Sequence, residues 1–190
     1  MDQLKERILA EGRITGTDCV RVDSFLNHQV DPALLAAIGR EFANRFAADR
    51  VTRILTIEAS GIAPALFTGL ALSVPVVFAK KTPSRNQDES CYQALVHSFT
   101  RHSDSVIRVS RRFLSSGDRV LLIDDFLANG QALLGLAEIV AQAGAALVGA
   151  GVVIEKGFQE GGSLARDMGI RVEALVTISD LSQGTIRFKE

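Results

Sequence analysis

The chain has 190 residues, 47% of them hydrophobic, with 21 basic and 22 acidic side chains and a net charge of −1. That balance describes a globular chain able to bury a sizeable core and excludes a disordered one. It argues against a nucleic-acid partner, which calls for a clear basic excess, and the apolar runs are too short and interrupted to expect a membrane partner.

In chain order, residues 3–10 pattern as a short helix. The charged start MDQLKERILAEGR lacks the apolar stretch of a signal peptide, so a cytoplasmic location is expected. Cys19 and Cys91 stand alone without Cys-x-x-Cys spacing and read as ordinary reduced cysteines. Residues 20–22 suggest a strand. Asp31 then stands where an N-cap belongs and Pro32 at the first helical position. Leu34, Leu35, Ile38, Phe42 and Phe46 follow at helical spacing.

Residues 54–57 form a short apolar strand, Glu-Ala-Ser-Gly (58–61) a turn, and a helix comes next. VPVVFAKK (74–81) reads as a strand ending in two lysines. The polar stretch TPSRNQDESCYQ (82–93) reads as a mobile loop. ALVHSFT and SVIRVS around a polar RHSD predict a β-hairpin. VLLI (120–123) is the next buried strand, and the helix QALLGLAEIVAQAG has Gly144 as its stop. A strand at 146–156, a short helix in GSLARDMG and a last strand in VEALVTI complete the chain. Strands alternate with helices and are apolar on both faces. This predicts an α/β fold with a central parallel sheet and helices on both faces, in a single domain over 1–190.

Such sheets bind ligands beyond the carboxyl ends of their strands. Three strand ends here carry polar chemistry: the 58–61 turn, Lys80-Lys81 and Asp124-Asp125. In VLLIDDFLANGQA (120–132) the helix start offers unpaired N–H groups to an anion, and Gly130 allows close approach of the backbone. Carboxylates would repel a phosphate they faced; they suit neutral hydroxyls, such as those of a vicinal diol, or a Mg²⁺ ion. The stretch reads either as a ribose-phosphate cradle or as a plain strand-to-helix turn with solvated acids. The 58–61 turn has the same two readings: Ser60 and Gly61 face a second anion, or Ser60 is an ordinary N-cap. Lys80 and Lys81 are either solvated or neutralise a charged ligand. Lys156 can donate to a ligand carbonyl, and Phe158 is either an aromatic wall or a core residue. His28, His97 and His102 lack metal-ligand spacing and read as non-catalytic.

VLLIDDFLANGQA resembles the ribosyl-phosphate-binding motif of the type I phosphoribosyltransferases. VDSFLNHQVDP, TIEASGIAPAL, VPVVFAKK and VIEKGFQ extend the likeness across nearly the whole chain, toward the members that act on xanthine. The resemblance implies transfer of a 5-phosphoribosyl group from 5-phosphoribosyl pyrophosphate (PRPP) to N9 of a purine. It assigns the 5-phosphate to Ala128, Asn129, Gly130, Gln131 and Ala132, and the ribose hydroxyls to Asp124 and Asp125. It gives the pyrophosphate, with Mg²⁺, to Glu58, Ser60 and Gly61. Lys81 and the 82–93 loop would help cover the site, and a homodimer is implied. Residues 1–30 would be a hood over the base, which Val20, Asn27 and Lys156 would contact. Asn27 could read the 2-oxo edge of xanthine and Lys156 its O6; adenine offers that lysine no acceptor. A PRPP-binding regulator without turnover would need a DNA-binding extension, and the motifs starting by residue 20 leave no room for one. Enzymes for guanine or hypoxanthine remain open alternatives.

Overall fold

The computed structural model describes residues 1–81, 90–98 and 103–189, without the side chains of Ser103 and Gln183. The elements are α1 (Asp2–Glu11), β1 (Arg13–Thr15), β2 (Cys19–Arg21), α2 (Pro32–Arg45), β3 (Arg53–Ile57), α3 (Ile62–Leu72), β4 (Val76–Ala79), β5 (Cys91–Ser98), β6 (Ser103–Ser110), β7 (Arg119–Leu127), α4 (Gln131–Gln142), β8 (Ala146–Lys156), α5 (Gly161–Asp167), β9 (Val172–Asp180) and β10 (Arg187–Phe188). The central sheet has the order β10-β9-β8-β7-β3-β4. Its pairs are parallel except β10 on β9, so the sheet is mixed where an all-parallel one was expected. The edge strand is only two residues long, too short to leave a period in the sequence.

Alternation along the strands splits the core between the two faces. Leu121 and Ile123 of β7 join Leu34, Leu35, Ile38 and Phe42 of α2 on one side, together with Leu4 and Ile8 of α1. Leu122 of the same strand joins Leu133, Leu136 and Ile139 of α4 on the other, along with Tyr92, Val96 and Ile107 of the β5–β6 hairpin. Helices thus cover both faces, as the sequence predicts.

Local signals act where they were expected. The Asp31 side chain accepts from the N–H groups of Ala33 and Leu34 at 3.0 and 3.1 Å, with Pro32 opening α2. Gly144 has φ +66 just past the end of α4, a backbone angle that favours glycine. The hairpin forms with Tyr92 opposite Val109 and Val96 opposite Ser105. Of the expected 82–93 loop, 82–89 lie outside the described residues and 91–93 belong to β5; His102 also lies outside them.

The main departure is at β7. Its ladder with β8 continues past residue 123, pairing Asp124 with Val152, Phe126 with Ile154 and Leu127 with Glu155. The two acids lie inside a central strand instead of beyond its end. Ladder bonds use only backbone groups, so a polar side chain does not stop a strand already flanked by neighbours. The N-terminal segment likewise holds a small hairpin, β1 on β2, where only one strand was expected.

Candidate active site

β3 and β7 are parallel neighbours, so the turns that leave their carboxyl ends stand side by side. One leads through 58–61 into α3; the other leads through 128–130 into α4. Between them is a cavity of about 390 Å³. Glu58, Ser60, Gly61, Lys81, Asp124, Asp125 and all of residues 128–132 line it. Every residue that the sequence suggested for PRPP is therefore brought to one wall.

Asp124 and Asp125 are each only 8% exposed, which overturns the reading of solvated acids. The Asp125 N–H donates to Asp124 Oδ1 at 3.0 Å, and the Asn27 amide donates to Asp125 Oδ2 at 3.2 Å. Burial pushes both carboxyls above the ordinary aspartate range. Asp124 is pushed further by the neighbouring Asp125 charge, while the Asn27 amide partly relieves Asp125. Such a pair lacks the donors that a water shell would supply, and hydroxyl donors or positive charge from a ligand would restore its charged form.

The 58–61 turn packs on this pair without a side chain between. A Cβ at Gly61 would come 2.2 Å from Thr56 Oγ1 and 2.7 Å from Asp124 Oδ1. Thr56 is fully buried and its hydroxyl has no hydrogen-bond partner among the described residues. The Glu58–Ala59 peptide is cis. Gly61, not Ser60, is the N-cap of α3, and no side chain caps that helix. Ser60 is therefore not spent as an N-cap and is left on the cavity wall.

At the other turn Gly130 is the N-cap of α4 with φ +80. The first intrahelical bond runs from the Leu134 N–H to Gly130 O. The N–H groups of residues 131–133 precede it and have no partner within the helix, which makes this end favourable to an anion.

The two lysines divide. Lys80 is tied by backbone bonds of 2.9 Å to Arg108 of the hairpin, whereas Lys81 lines the cavity and its N–H donates to Glu58 Oε1 at 2.6 Å. The three residues suggested for the base are not on this cavity wall. Val20 is buried in the core. Asn27 reaches the acid pair from the N-terminal segment. Lys156 donates to Asp18 O at 2.8 Å and lies 5.9 Å from the centroid of the Phe126 ring, itself on the cavity wall. Phe158 is 38% exposed, so it is not the core residue that its bland reading made it.

Sequence reasoning missed Thr56, Phe126 and the hairpin's approach. Val96, His97 and Ser105 line the cavity, with His97 Nδ1 2.6 Å from Asp104 Oδ1. Nothing local marks these positions, because they arrive by folding of a distant element. Phe126 and Thr56 did carry a signal, since one sits within the 120–132 stretch and the other opens TIEASGIAPAL.

A mostly parallel sheet with two helix-start turns around buried acids defines a class. Residues 27–173 match the family model of the phosphoribosyl transferase domain, and the chain belongs to that family. Its similar relatives narrow this further. It is 55% identical over 190 residues to the xanthine phosphoribosyltransferase of Oceanobacillus iheyensis, covering 100% of this chain and 98% of that one. It is also 55% identical over 188 residues to the xanthine phosphoribosyltransferase of Moorella thermoacetica, covering 99% and 96%. Among solved structures, the adenine phosphoribosyltransferase of Trypanosoma brucei, in complex with AMP, pyrophosphate and ribose-5-phosphate, shares the fold. The TM-score is 0.75 at 19% identity, covering 92% of this chain and 79% of that one.

Proposed function

We propose that this chain is a xanthine phosphoribosyltransferase of purine salvage: it transfers the 5-phosphoribosyl group of PRPP to N9 of xanthine, giving XMP and pyrophosphate. The observation that carries the reading is the meeting of two helix-start turns and a buried acid pair around one cavity. The choice of base is supported by the full-length likeness to the xanthine enzymes.

In this reading residues 128–132 hold the 5-phosphate at the start of α4. Asp124 and Asp125 accept the ribose hydroxyls, which supply the donors the buried pair lacks. Glu58, Ser60 and Gly61 take the pyrophosphate, with Lys81 adding positive charge. Mg²⁺ belongs to the substrate: it travels with the pyrophosphate and neutralises it as it leaves. Bond breaking at C1 leaves positive charge on the ribose ring, and the purine N9 then attacks. The protein's own part is to position the two partners and stabilise the departing charge. Asn27 and Lys156 read the 2-oxo and 6-oxo groups, with Val20 shaping the hood behind them.

The test is pyrophosphate release from PRPP and Mg²⁺ with each base in turn. Xanthine should turn over fastest and adenine not at all. Turnover with adenine but not xanthine overturns the base assignment, and a preference for guanine or hypoxanthine corrects it within the 6-oxopurines. PRPP binding without turnover on any base makes the protein a regulator. Replacing Lys156 with Met should raise KM for xanthine about tenfold, because a hydrogen bond to a charged donor contributes about 1.5–3 kcal/mol.

We also infer a cytoplasmic homodimer. Leu66 and Leu70, one turn apart on α3, are 58% and 74% exposed, and Phe78 of the neighbouring edge strand β4 is 39% exposed. Large apolar side chains grouped in this way favour a covered face. The double change Leu66→Glu, Leu70→Glu should convert a dimer into a monomer in sedimentation velocity. A wild-type protein that sediments as a monomer, or a variant that remains dimeric, removes this interface.

A further inference from the structure

The 128–130 segment is backed by a second piece of backbone. The Gly161 N–H, at the start of α5, donates to Ala128 O at 2.9 Å. A Cβ at Gly161 would lie 2.2 Å from Ala128 O and 2.4 Å from Gly130 N. The loop therefore rests directly on the first residue of α5, with no compliant side chain between them.

α5 has only seven residues. A helix that short does not hold itself in place by its own hydrogen bonds, so something outside it must. Glu155, buried near the carboxyl end of β8, supplies that support at both ends. A Cβ at Gly162 would meet Glu155 Oε1 at 1.9 Å, so the opening of the helix sits on this carboxylate. Near the other end, Arg166 forks onto Glu155 with bonds of 2.7 and 2.9 Å. Thr177 of β9 adds a third bond at 3.2 Å. The Arg166 guanidinium holds the Glu155 carboxyl below the ordinary glutamate range, and Glu155 in turn raises Arg166. A two-pronged bond fixes orientation as well as distance, which a single-point lysine contact would not.

We propose that Arg166 is a positioning residue for the phosphate-binding loop. It touches no substrate. Its fork on Glu155 fixes α5, and α5 keeps Gly161 seated under Ala128 and Gly130. This rests on the reading of residues 128–132 as the 5-phosphate site.

The test compares full-length wild type, Arg166→Met and Arg166→Lys. It measures KM for PRPP, KM for xanthine, kcat, melting temperature, and ribose 5-phosphate affinity by calorimetry. Arg166→Met should raise KM for PRPP and weaken ribose 5-phosphate binding, each about tenfold. KM for xanthine should stay within about twofold, and Arg166→Lys should fall in between. A lower melting temperature with unchanged KM for PRPP shows a merely structural ion pair and overturns the proposal. If Arg166→Met does not fold, an unchanged KM for PRPP in Arg166→Lys overturns it equally. Ribose 5-phosphate binding wild type and Arg166→Met alike leaves the phosphate site standing and removes the role of Arg166. Failure to bind wild type at all removes the phosphate site itself.

Discussion

Replacing Asp124 and Asp125 together with asparagine should give a folded protein that melts higher than wild type and turns over far more slowly. Both effects come from burial. Each carboxyl is 8% exposed and is pushed above the ordinary aspartate value of 3.8 by loss of water. A carboxyl whose pKa is raised by folding stabilises the fold only while it keeps its proton. That contribution is complete below about 3.8 and is lost as pH climbs through the raised value. Once the pH passes those raised values, the ionised pair opposes folding. Asparagine has nearly the same shape and no charge, so the melting-temperature advantage of the variant should widen as the pH rises from the ordinary aspartate value toward the raised ones. On the proposed assignment, the same change removes the charged acceptors for the ribose hydroxyls. At about 1.5–3 kcal/mol for each hydrogen bond to a charged group, kcat/KM should fall roughly 10³-fold. Scanning calorimetry across pH and a pyrophosphate-release assay read the two effects separately. Activity that survives the double change would remove the ribose assignment.

Adding a single methyl group at Gly61 should be nearly as damaging for a different reason. Its Cβ would fall 2.2 Å from Thr56 Oγ1, 2.7 Å from Asp124 Oδ1 and 3.3 Å from Ile57 O. The first two distances are too short for real contacts, so the turn must lift or Asp124 must swing away. Overpacking of this kind costs about 1–3 kcal/mol, or about 5 °C in melting temperature for a chain of this size. A shift of about 1 Å in a positioned group costs about 10²-fold in rate, so Gly61→Ala should lose at least that in kcat/KM. Adding Thr56→Ala removes the worse clash and a buried hydroxyl that has no partner among the described residues. The double variant should regain stability and remain slow, because the contact with Asp124 persists. Wild-type activity in Gly61→Ala would mean that the turn lies away from the reacting atoms.

Much of this site could be read in the sequence because its parts are local. A strand, two acids, a small-residue turn and a helix start occupy thirteen consecutive residues, and the 58–61 turn repeats the logic. Asp31 and Pro32 likewise announce α2 through bonds made within four residues. What escaped depends on contacts between distant segments. The period of apolar side chains reports burial and says nothing of a ladder that carries on past polar residues, so β7 was cut short at residue 123. The bond from Asn27 to Asp125 spans 98 positions and ties the N-terminal segment to the acids in a way that no spacing implies. Val20 has an apolar side chain suited equally to a base or to a core, and only the fold decides that it faces the core. Arg166 carries no mark of its own in the sequence of a short helix. Its weight comes from Glu155, eleven residues away, and from two glycines that let backbone meet backbone.

The two ends of the sheet bear on how the protein behaves in crowded solution. An outer strand normally exposes a row of unpaired N–H and C=O groups to which another chain can add. Here, at one end of the sheet, the carboxyl end of β9 is covered by the two residues of β10, which bring the charge of Arg187, and the Lys189 N–H donates to Thr177 O. At the other end β4 is four residues long, and the chain leaving it is taken up at Lys80 by Arg108 of the hairpin. Neither border offers the long flat template from which strand-on-strand aggregates grow. The folded protein should therefore tolerate concentration well, and precipitation on heating should begin only once the sheet itself opens.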